Sequence, residues 1–486
     1  MNSRLAKGFT NAVQRARGWD YRAPLRELEE LQWASPERVR EHRLGKLRSL
    51  LAHCREHVPF YKDQLGRLGI EPATIEDEKD IRALPVVTKR MLREDYGRFC
   101  ATKGNGGYDV WTSSGSTGEP FPFRMDKRSI AANVFAALAR GRRWWEMDFG
   151  VREGMIWSGV RDVSGTRSGR LAAARRRFSW RLKNIRLVDI YDLDHRAVRR
   201  AYQMFLRFKP VLVRAISSGL FRFCECLEEL GLDGRRLGVR RAIYTGESLL
   251  AAQRALIERV LGCKTICEYG CTELGVIAFE CPKGGIHLNH ENLVAEYLKD
   301  GRPAAGGQEA ELVVTDLNNH VAPLVRYAVG DIVVPTDQLC ECGRRLPLLL
   351  RIEGRTHDAI LTPQGSIVHG LYFTHIFDRL PIVHQFRVVQ ERIDLIRLEL
   401  RSPEGIPDSV KQSVQAAVAK VMGGVVSVVV EQVVELPVSK SGKSPWIVSR
   451  IDGRGCAARA GSAGDVSEVE RMAERPIQAA GCSDSP

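Results

Sequence analysis

From residue 154 onward, short apolar runs and longer amphipathic stretches take turns. GMIWSG, RAISS and RRAIYTG read as strands, while the stretches 194–208, 217–230 and 248–261 carry helical spacing, as does 127–145 before them. A chain that keeps returning from helix to strand builds helices onto a sheet rather than a helical bundle, so the expected class is α/β. Past residue 285 the pattern turns β-rich in LVAEYL, AELVVTDL, PLVRYAVGDIVVP and LPLLLRIEG. At the other end, EHRLGKLRSLLAHCREHVPFYKDQL predicts a helical N-terminal cap that breaks near Pro59.

Gly354-Arg355-Thr356-His357-Asp358 separates this body from a smaller α+β region with alternating strands and a helix over 410–421. The expected organisation is a large multi-layered body over 1–354, a second domain over 355–452, and a tail over 453–486 that is small, polar and poor in aromatics. With 486 residues and 44% hydrophobic content, the chain can bury a substantial core. Neither MNSRLAKGFTNAVQRARGWDY nor any later run has the continuous apolar length of a signal or a membrane span, which gives a cytoplasmic expectation. The twelve cysteines form no disulfide framework and are expected to be reduced, with a few free to bind metal.

A net charge of +14 favours anionic partners without choosing among them. Its densest part is Arg161–Arg186, where Phe178, Trp180 and Leu182 interrupt the arginines. That segment reads as a solvated helix face with apolar anchors, or as a basic amphipathic helix facing an acidic carrier or lipid surface. No nucleic-acid reading module accompanies it, and neither nucleic acid nor membrane is strongly signalled.

The stretch VWTSSGSTGEPFPF concentrates hydroxyls and glycines at Thr112, Ser113, Ser114, Gly115, Ser116, Thr117 and Gly118. Such a loop can wrap phosphate with backbone amides and hydroxyls, yet it lacks the lysine of a Walker loop and, alone, is more often a linker than a nucleotide site. Its companions decide the matter. TSSGSTGEP, TGE, EYGCTE, RYAVGD, GRTHD and LPVSKSGKSPWIV occur in the order found in adenylate-forming enzymes. The set resembles the acyl-CoA synthetase and adenylation-domain superfamily over roughly residues 45–450. LLAHCREHVPFYK and CECGR before RIEGRTHD narrow the resemblance to the phenylacetate-CoA ligase branch with its CapK-like members.

The resemblance implies a large body with a mobile C-terminal lid, and a reaction in which ATP adenylates a carboxylic acid before coenzyme A takes the acyl group. A carrier-protein thiol or an amine is the alternative acceptor, and a catalytically retired nucleotide-binding or assembly protein the alternative class. It places Thr112–Gly118 at the β and γ phosphates, Gly246 and Glu247 beside adenine with Tyr269 nearby, and Thr272 near the α phosphate. Glu273 becomes the magnesium partner, Asp331 the ribose acceptor, Arg355 a phosphate or ribose contact, and Arg326 a strand brace. Lys443 of KSGKSPW is the catalytic cation of the lid, with Lys440 its competitor, and Asp358 is the hinge. Trp157, Ser158, Ser217, Phe221 and Tyr244 are candidates for the acyl pocket, with core packing as their ordinary reading. Finally, Cys281, His287, Cys340 and Cys342 form a candidate four-ligand zinc set of structural type, His287 being the least anchored by pattern.

Overall fold

The structure, a computed structural model, describes residues 2–103, 107–113, 121–157, 167–191, 193–355, 359–365, 367–378, 380–437 and 446–451. The chain divides into two compact units. The larger comprises Met1–Leu249 and Arg254–Glu353; the smaller comprises Leu250–Gln253 and most of the chain from Gly354.

In the larger unit, the N-terminal segment folds into helices Ser3–Ala16, Arg22–Leu31, Pro36–His57 and Pro59–Leu68. Ser35 caps the third by accepting from the Arg38 N–H, and the extended Val58 ahead of Pro59 separates it from the fourth, because the residue before proline disfavours helical backbone. A hairpin follows, β1 (Tyr108–Ser113) against β2 (Phe121–Asp126), registering Ser113 opposite Phe121.

The main sheet has twelve strands: β3 (Glu153–Trp157), β4 (Ile185–Asp189), β5 (Leu212–Ile216), β6 (Arg241–Thr245), β7 (Lys264–Cys271), β8 (Gly275–Glu280), β9 (Ile286–Leu288), β10 (Leu293–Lys299), β11 (Arg302–Pro303), β12 (Ala310–Asp316), β13 (Tyr327–Thr336) and β14 (Leu348–Arg355). Their spatial order is β11-β10-β12-β13-β14-β9-β8-β7-β6-β5-β3-β4. Strands β4, β3, β5, β6 and β7 run parallel, with helices Arg167–Leu182, His195–Phe208 and Ser217–Glu229 in the crossovers. Helix covering buries these strands, as Val213, Ala215, Ala242 and Ile243 show. From β7 to β9 neighbours are antiparallel, and β10, β12 and β13 form a further antiparallel run, matching the β-rich stretch past residue 285.

One expected helix is interrupted. The stretch 127–145 folds as Lys127–Ser129, a π-helical turn over Ile130–Ala136, and Ala137–Trp144. The widened turn holds Asn133, whose side-chain amide donates to Asp316 Oδ1 at 2.8 Å while its backbone carbonyl oxygen lies 2.8 Å from where a Cβ on Gly275 would fall.

The smaller unit carries a hairpin, β15 (Ala359–Leu361) with β16 (Ile367–His369), and a four-stranded sheet of β17 (Gln385–Arg392), β18 (Leu395–Arg401), β19 (Ser427–Gln432) and β20 (Ile447–Ser449) in the order β19-β18-β17-β20. Phe373, Phe377, Phe386, Leu398, Val414 and Val418 fill its own core. The helix expected over 410–421 runs Asp408–Val421. Among the described residues, no helix is long and apolar enough to cross a membrane.

Candidate active site

Because β3, β5, β6 and β7 are parallel, their carboxyl ends share one edge of the sheet, where ligands of open α/β sheets bind. Trp157 ends β3, Ser217 follows β5, Gly246 and Glu247 follow β6, and Thr272 and Glu273 lie in the turn after β7. Four segments far apart in sequence therefore reach one edge.

The turn after β7 is tight for a steric reason. A Cβ at Gly270 would lie 2.2 Å from the Gly275 carbonyl oxygen, so YGCTELG can double back only with glycine there. The reversal leaves Glu273 buried, accepting an ion-paired hydrogen bond from Lys89 Nζ at 3.0 Å. Lys89 begins a short helix, Lys89–Glu94, capped by Thr88. The preceding residue, Val87, donates its N–H to the Arg326 carbonyl and accepts from the Ala328 N–H, which ties the segment to the start of β13. Lys89, Tyr96, Phe121, Arg124, Glu273 and Tyr327 line a narrow cavity, so the β1–β2 hairpin meets the β7–β8 turn there.

Tyr269 donates its phenolic hydrogen to Asp331 Oδ2 at 2.7 Å, joining the EYGCTE and RYAVGD motifs through one side-chain contact. Gly330, at φ +80°, turns the backbone just before Asp331. Arg326 is buried and bidentate to Glu296 at 2.9 and 3.0 Å, and it also donates to the Arg82 carbonyl, which makes it the brace of this region. On β1, Ser113 is buried and its hydroxyl has no hydrogen-bond partner among the described residues, while Thr112 is exposed. Ser114, Gly115, Ser116, Thr117, Gly118, Ser158, Asp358, Lys440 and Lys443 lie outside the described residues, as does the side chain of Arg355.

Around the acyl-pocket candidates the structure is more conservative. Ser217 donates to the Thr245 and Glu247 carbonyls at 3.3 and 2.7 Å, and Glu247 Oε2 accepts from the Ser218 N–H at 3.0 Å, so these two residues fasten the start of helix Ser217–Glu229 to the turn after β6. Phe221 and Tyr244 are part of the main core, where burial raises the Tyr244 phenol far above its ordinary value. Trp157 is half-buried under the Arg214 guanidinium, 4.8 Å from its ring centre, and Arg214 is held by Glu268. Burial first, and then neighbouring carboxylates such as Glu273 beside Cys271, raise the described Cys271 and Cys267 thiols near this edge, which argues against a nucleophilic role there.

Cys281, His287, Cys340 and Cys342 converge, with ligand atoms all within 4.8 Å of one another. Two turns supply the sulfurs. In the first, the Cys281 N–H donates to the Gly285 carbonyl at 2.8 Å; in the second, the Gly343 N–H donates to the Cys340 carbonyl at 3.1 Å. A Cβ on Gly285 would lie 2.7 Å from Cys340 Sγ and 3.3 Å from His287 Nε2, so glycine keeps the centre of the cluster open. His287 Nδ1 lies 3.4 Å from the Leu346 carbonyl, which can only accept; the lone pair is thereby left on Nε2, 3.2 Å from Cys342 Sγ. Burial pushes His287 down to about 4 and the Cys281 thiol up to about 12. The donor set and its spacing fit a tetrahedral zinc site of structural type.

Sequence reasoning missed Lys89. A single lysine opening a two-turn helix carries no pattern, and only the β13 tether brings it to Glu273.

The family model of the CapK C-terminal domain matches residues 360–450. Phenylacetate-coenzyme A ligase of Thermus thermophilus is 24% identical over 379 residues, covering 75% of this chain and 80% of its own, and the Pseudomonas putida protein of the same name is 25% identical over 347 residues, covering 69% and 74%. Protein CapK of Staphylococcus aureus is 22% identical over 322 residues, covering 65% and 68%. Among solved structures, 2-hydroxyisobutyryl-CoA ligase in the postadenylation state shares the fold with a TM-score of 0.65 at 20% identity, covering 86% of this chain and 90% of that one. The chain is thus similar over most of its length to the phenylacetate-CoA ligases, and its residues 360–450 match the CapK C-terminal domain.

Proposed function

We propose that the protein is an AMP-forming acid–CoA ligase, joining a carboxylic acid to ATP and then passing the acyl group to coenzyme A. The observation that carries this reading is the Tyr269–Asp331 hydrogen bond at the carboxyl edge of the parallel strands, which unites two motifs 62 residues apart beside the turn that carries Glu273. In the first step a substrate carboxylate oxygen attacks the α-phosphorus; the bond from that phosphorus to the bridging oxygen breaks, and pyrophosphate leaves with the electron pair. In the second, the coenzyme A thiol gives up its proton, its sulfur attacks the acyl carbon, and AMP leaves as the carbon–oxygen bond breaks.

Asp331 is suited to accept from the ribose hydroxyls, with Tyr269 fixing its carboxylate. Thr112, Ser113 and the loop through Gly118 hold the outgoing phosphates, Gly246 and Glu247 flank adenine, and Thr272 lies by the α phosphate. Glu273 is the magnesium ligand: Lys89 already shows that its surroundings favour a cation, and the bound ion would neutralise phosphate charge. Lys443, with Asp358 as the hinge of its lid, supplies positive charge during adenylation, and Arg355 faces the nucleotide. Trp157 and Ser158 border the acyl group, with Ser217, Phe221 and Tyr244 as supporting walls. Cys281, His287, Cys340 and Cys342 hold a structural zinc that staples two turns. Substrates such as ATP and coenzyme A, together with thiols that form no disulfide among the described residues, suit a cytoplasmic setting.

A panel of carboxylic acids assayed for pyrophosphate release, followed by addition of coenzyme A, a carrier thiol or an amine, tests the reading. Lys443→Ala is expected to abolish adenylate formation while thioester formation from supplied acyl-adenylate persists. Equal loss of both with the fold preserved rejects this division of labour.

A further inference from the structure

The arginines that the catalytic reading leaves unused gather at the opposite end of the parallel strand order. β4 is the terminal strand of the sheet, and the helices before and after it, Arg167–Leu182 and His195–Phe208, contain arginines but no aspartate or glutamate. The second helix is fixed by its buried side: Asp194 caps it, and Val198, Ala201, Tyr202 and Phe205 pack inward. This orientation leaves Arg196, Arg199, Arg200 and Arg207 exposed at spacings that recur along one side of the helix. Together with Arg186 of β4 they line a groove of about 660 Å³ whose remaining wall is Gln203, Met204 and Phe208.

No carboxylate among the described residues answers this charge. Among the described residues none of the five guanidiniums forms an ion pair, although arginines elsewhere on the molecule commonly do: Arg140, Arg142, Arg143, Arg214 and Arg326 each have a glutamate. Arg186 is held over the Phe208 ring at 4.6 Å, which fixes its guanidinium at the groove wall. Burial and the neighbouring Arg181 both disfavour its charge, a cost that an anion in the groove would relieve. Protection of an exposed sheet edge accounts for a charge on β4 itself, but not for four more on a helix whose backbone is already satisfied.

The geometry points to a second anion site, separate from the catalytic edge, for a ligand bearing several phosphate groups. From Arg196 to Arg207 the helix rises about 16 Å, the span of a chain of phosphates or a phosphorylated headgroup with its neighbours. Guanidinium forks match phosphate oxygens in pairs, and a phosphate carries more charge in less space than a carboxylate on a protein surface. The volume is that of a small-molecule site, and its Met204–Phe208 wall suits the organic part of a phosphate ester.

The test titrates inorganic tripolyphosphate into the full-length protein and into the triple variant Arg199→Gln, Arg200→Gln, Arg207→Gln, with Arg38→Gln, Arg67→Gln, Arg302→Gln as a charge-matched control. Any binding at the catalytic loop is common to all three proteins, so the difference isolates the groove. The groove variant is expected to bind at least about tenfold more weakly than wild type and control, with unchanged carboxylate-dependent pyrophosphate release. Vesicles of phosphatidylglycerol, against phosphatidylcholine alone, separate the two sources: displacement of tripolyphosphate by the anionic vesicles identifies a lipid headgroup, and its absence a soluble phosphate ester. Equal binding by the groove variant and the control, no binding by wild type beyond the loop site, or tighter binding of polyglutamate than of tripolyphosphate would overturn the assignment.

Discussion

Tyr269→Phe removes one oxygen and leaves the aromatic ring in place. Tyr269 is 9% exposed and its ring belongs to the main core, so the phenylalanine ring retains the packing and the fold. What is lost is the 2.7 Å hydrogen bond to Asp331 Oδ2. A hydrogen bond to a charged group contributes about 1.5–3 kcal/mol, and because Asp331 is half-buried the lower end applies, about 1.5 kcal/mol. If that energy serves to hold the carboxylate toward the ribose, the KM for ATP should rise about tenfold. Ribose contacts are made equally in the ground and transition states, so kcat should stay within about twofold. Initial rates of pyrophosphate release at varied ATP, run beside 3′-deoxy-ATP, separate positioning from general damage. The substitution should cost much less with the analogue, since one of the hydroxyls that Asp331 accepts from is already missing. An unchanged KM, or an equal penalty with both nucleotides, would refute the assignment of Tyr269 as the positioning residue of Asp331.

Lys89→Met deprives the buried Glu273 carboxylate of its cation and should lower stability by about 1–2 kcal/mol in metal-free buffer; urea unfolding with and without magnesium should show the deficit shrinking as the ion takes the cation's place. Elemental analysis should find near-stoichiometric zinc in the wild type and little in Cys340→Ser, with a lowered melting temperature in the variant; metal-free wild type of full stability would dismiss the site. Asp316 is fully buried, and burial lifts its carboxyl from 3.8 to about 6 despite hydrogen bonds from Asn318, Ser129 and Asn133. Between those values the native state keeps a proton that the unfolded chain releases, so this group's contribution to stability is full below the lower value and falls as pH rises through the higher one. Asp316→Asn should flatten the pH dependence of the urea midpoint across that window, and an unaltered slope would assign it to other groups.

Periodicity and motif order made a good part of this protein legible before folding. The alternation around GMIWSG, RAISS and RRAIYTG implies strands buried on both faces between helices, and the structure has them as β3, β5 and β6 with helices in the crossovers. Local rules sufficed because apolar spacing reports which face a segment must bury. The interruption at Ile130–Ala136 was not legible, since the π turn answers to Asp316 and Gly275 far along the chain.

The site divides in the same way. The family resemblance of the ordered motifs named Asp331, Tyr269 and Glu273, and the four-ligand set was named because thiols and imidazole announce their capacity for zinc by residue type. Which partners they take is a property of the tertiary structure. The β13 tether brings Lys89 to Glu273, parallel strand order puts the turns after β6 and β7 side by side, and the glycine at 285 leaves the thiol cluster an open centre. Ser217 and Glu247 show the converse, for the fold engages both in fastening one helix start. The arginine count was plain in the sequence from the outset. That five of those arginines line one groove with no carboxylate among the described residues was decided only when the buried face of helix His195–Phe208 set the direction of its exposed one.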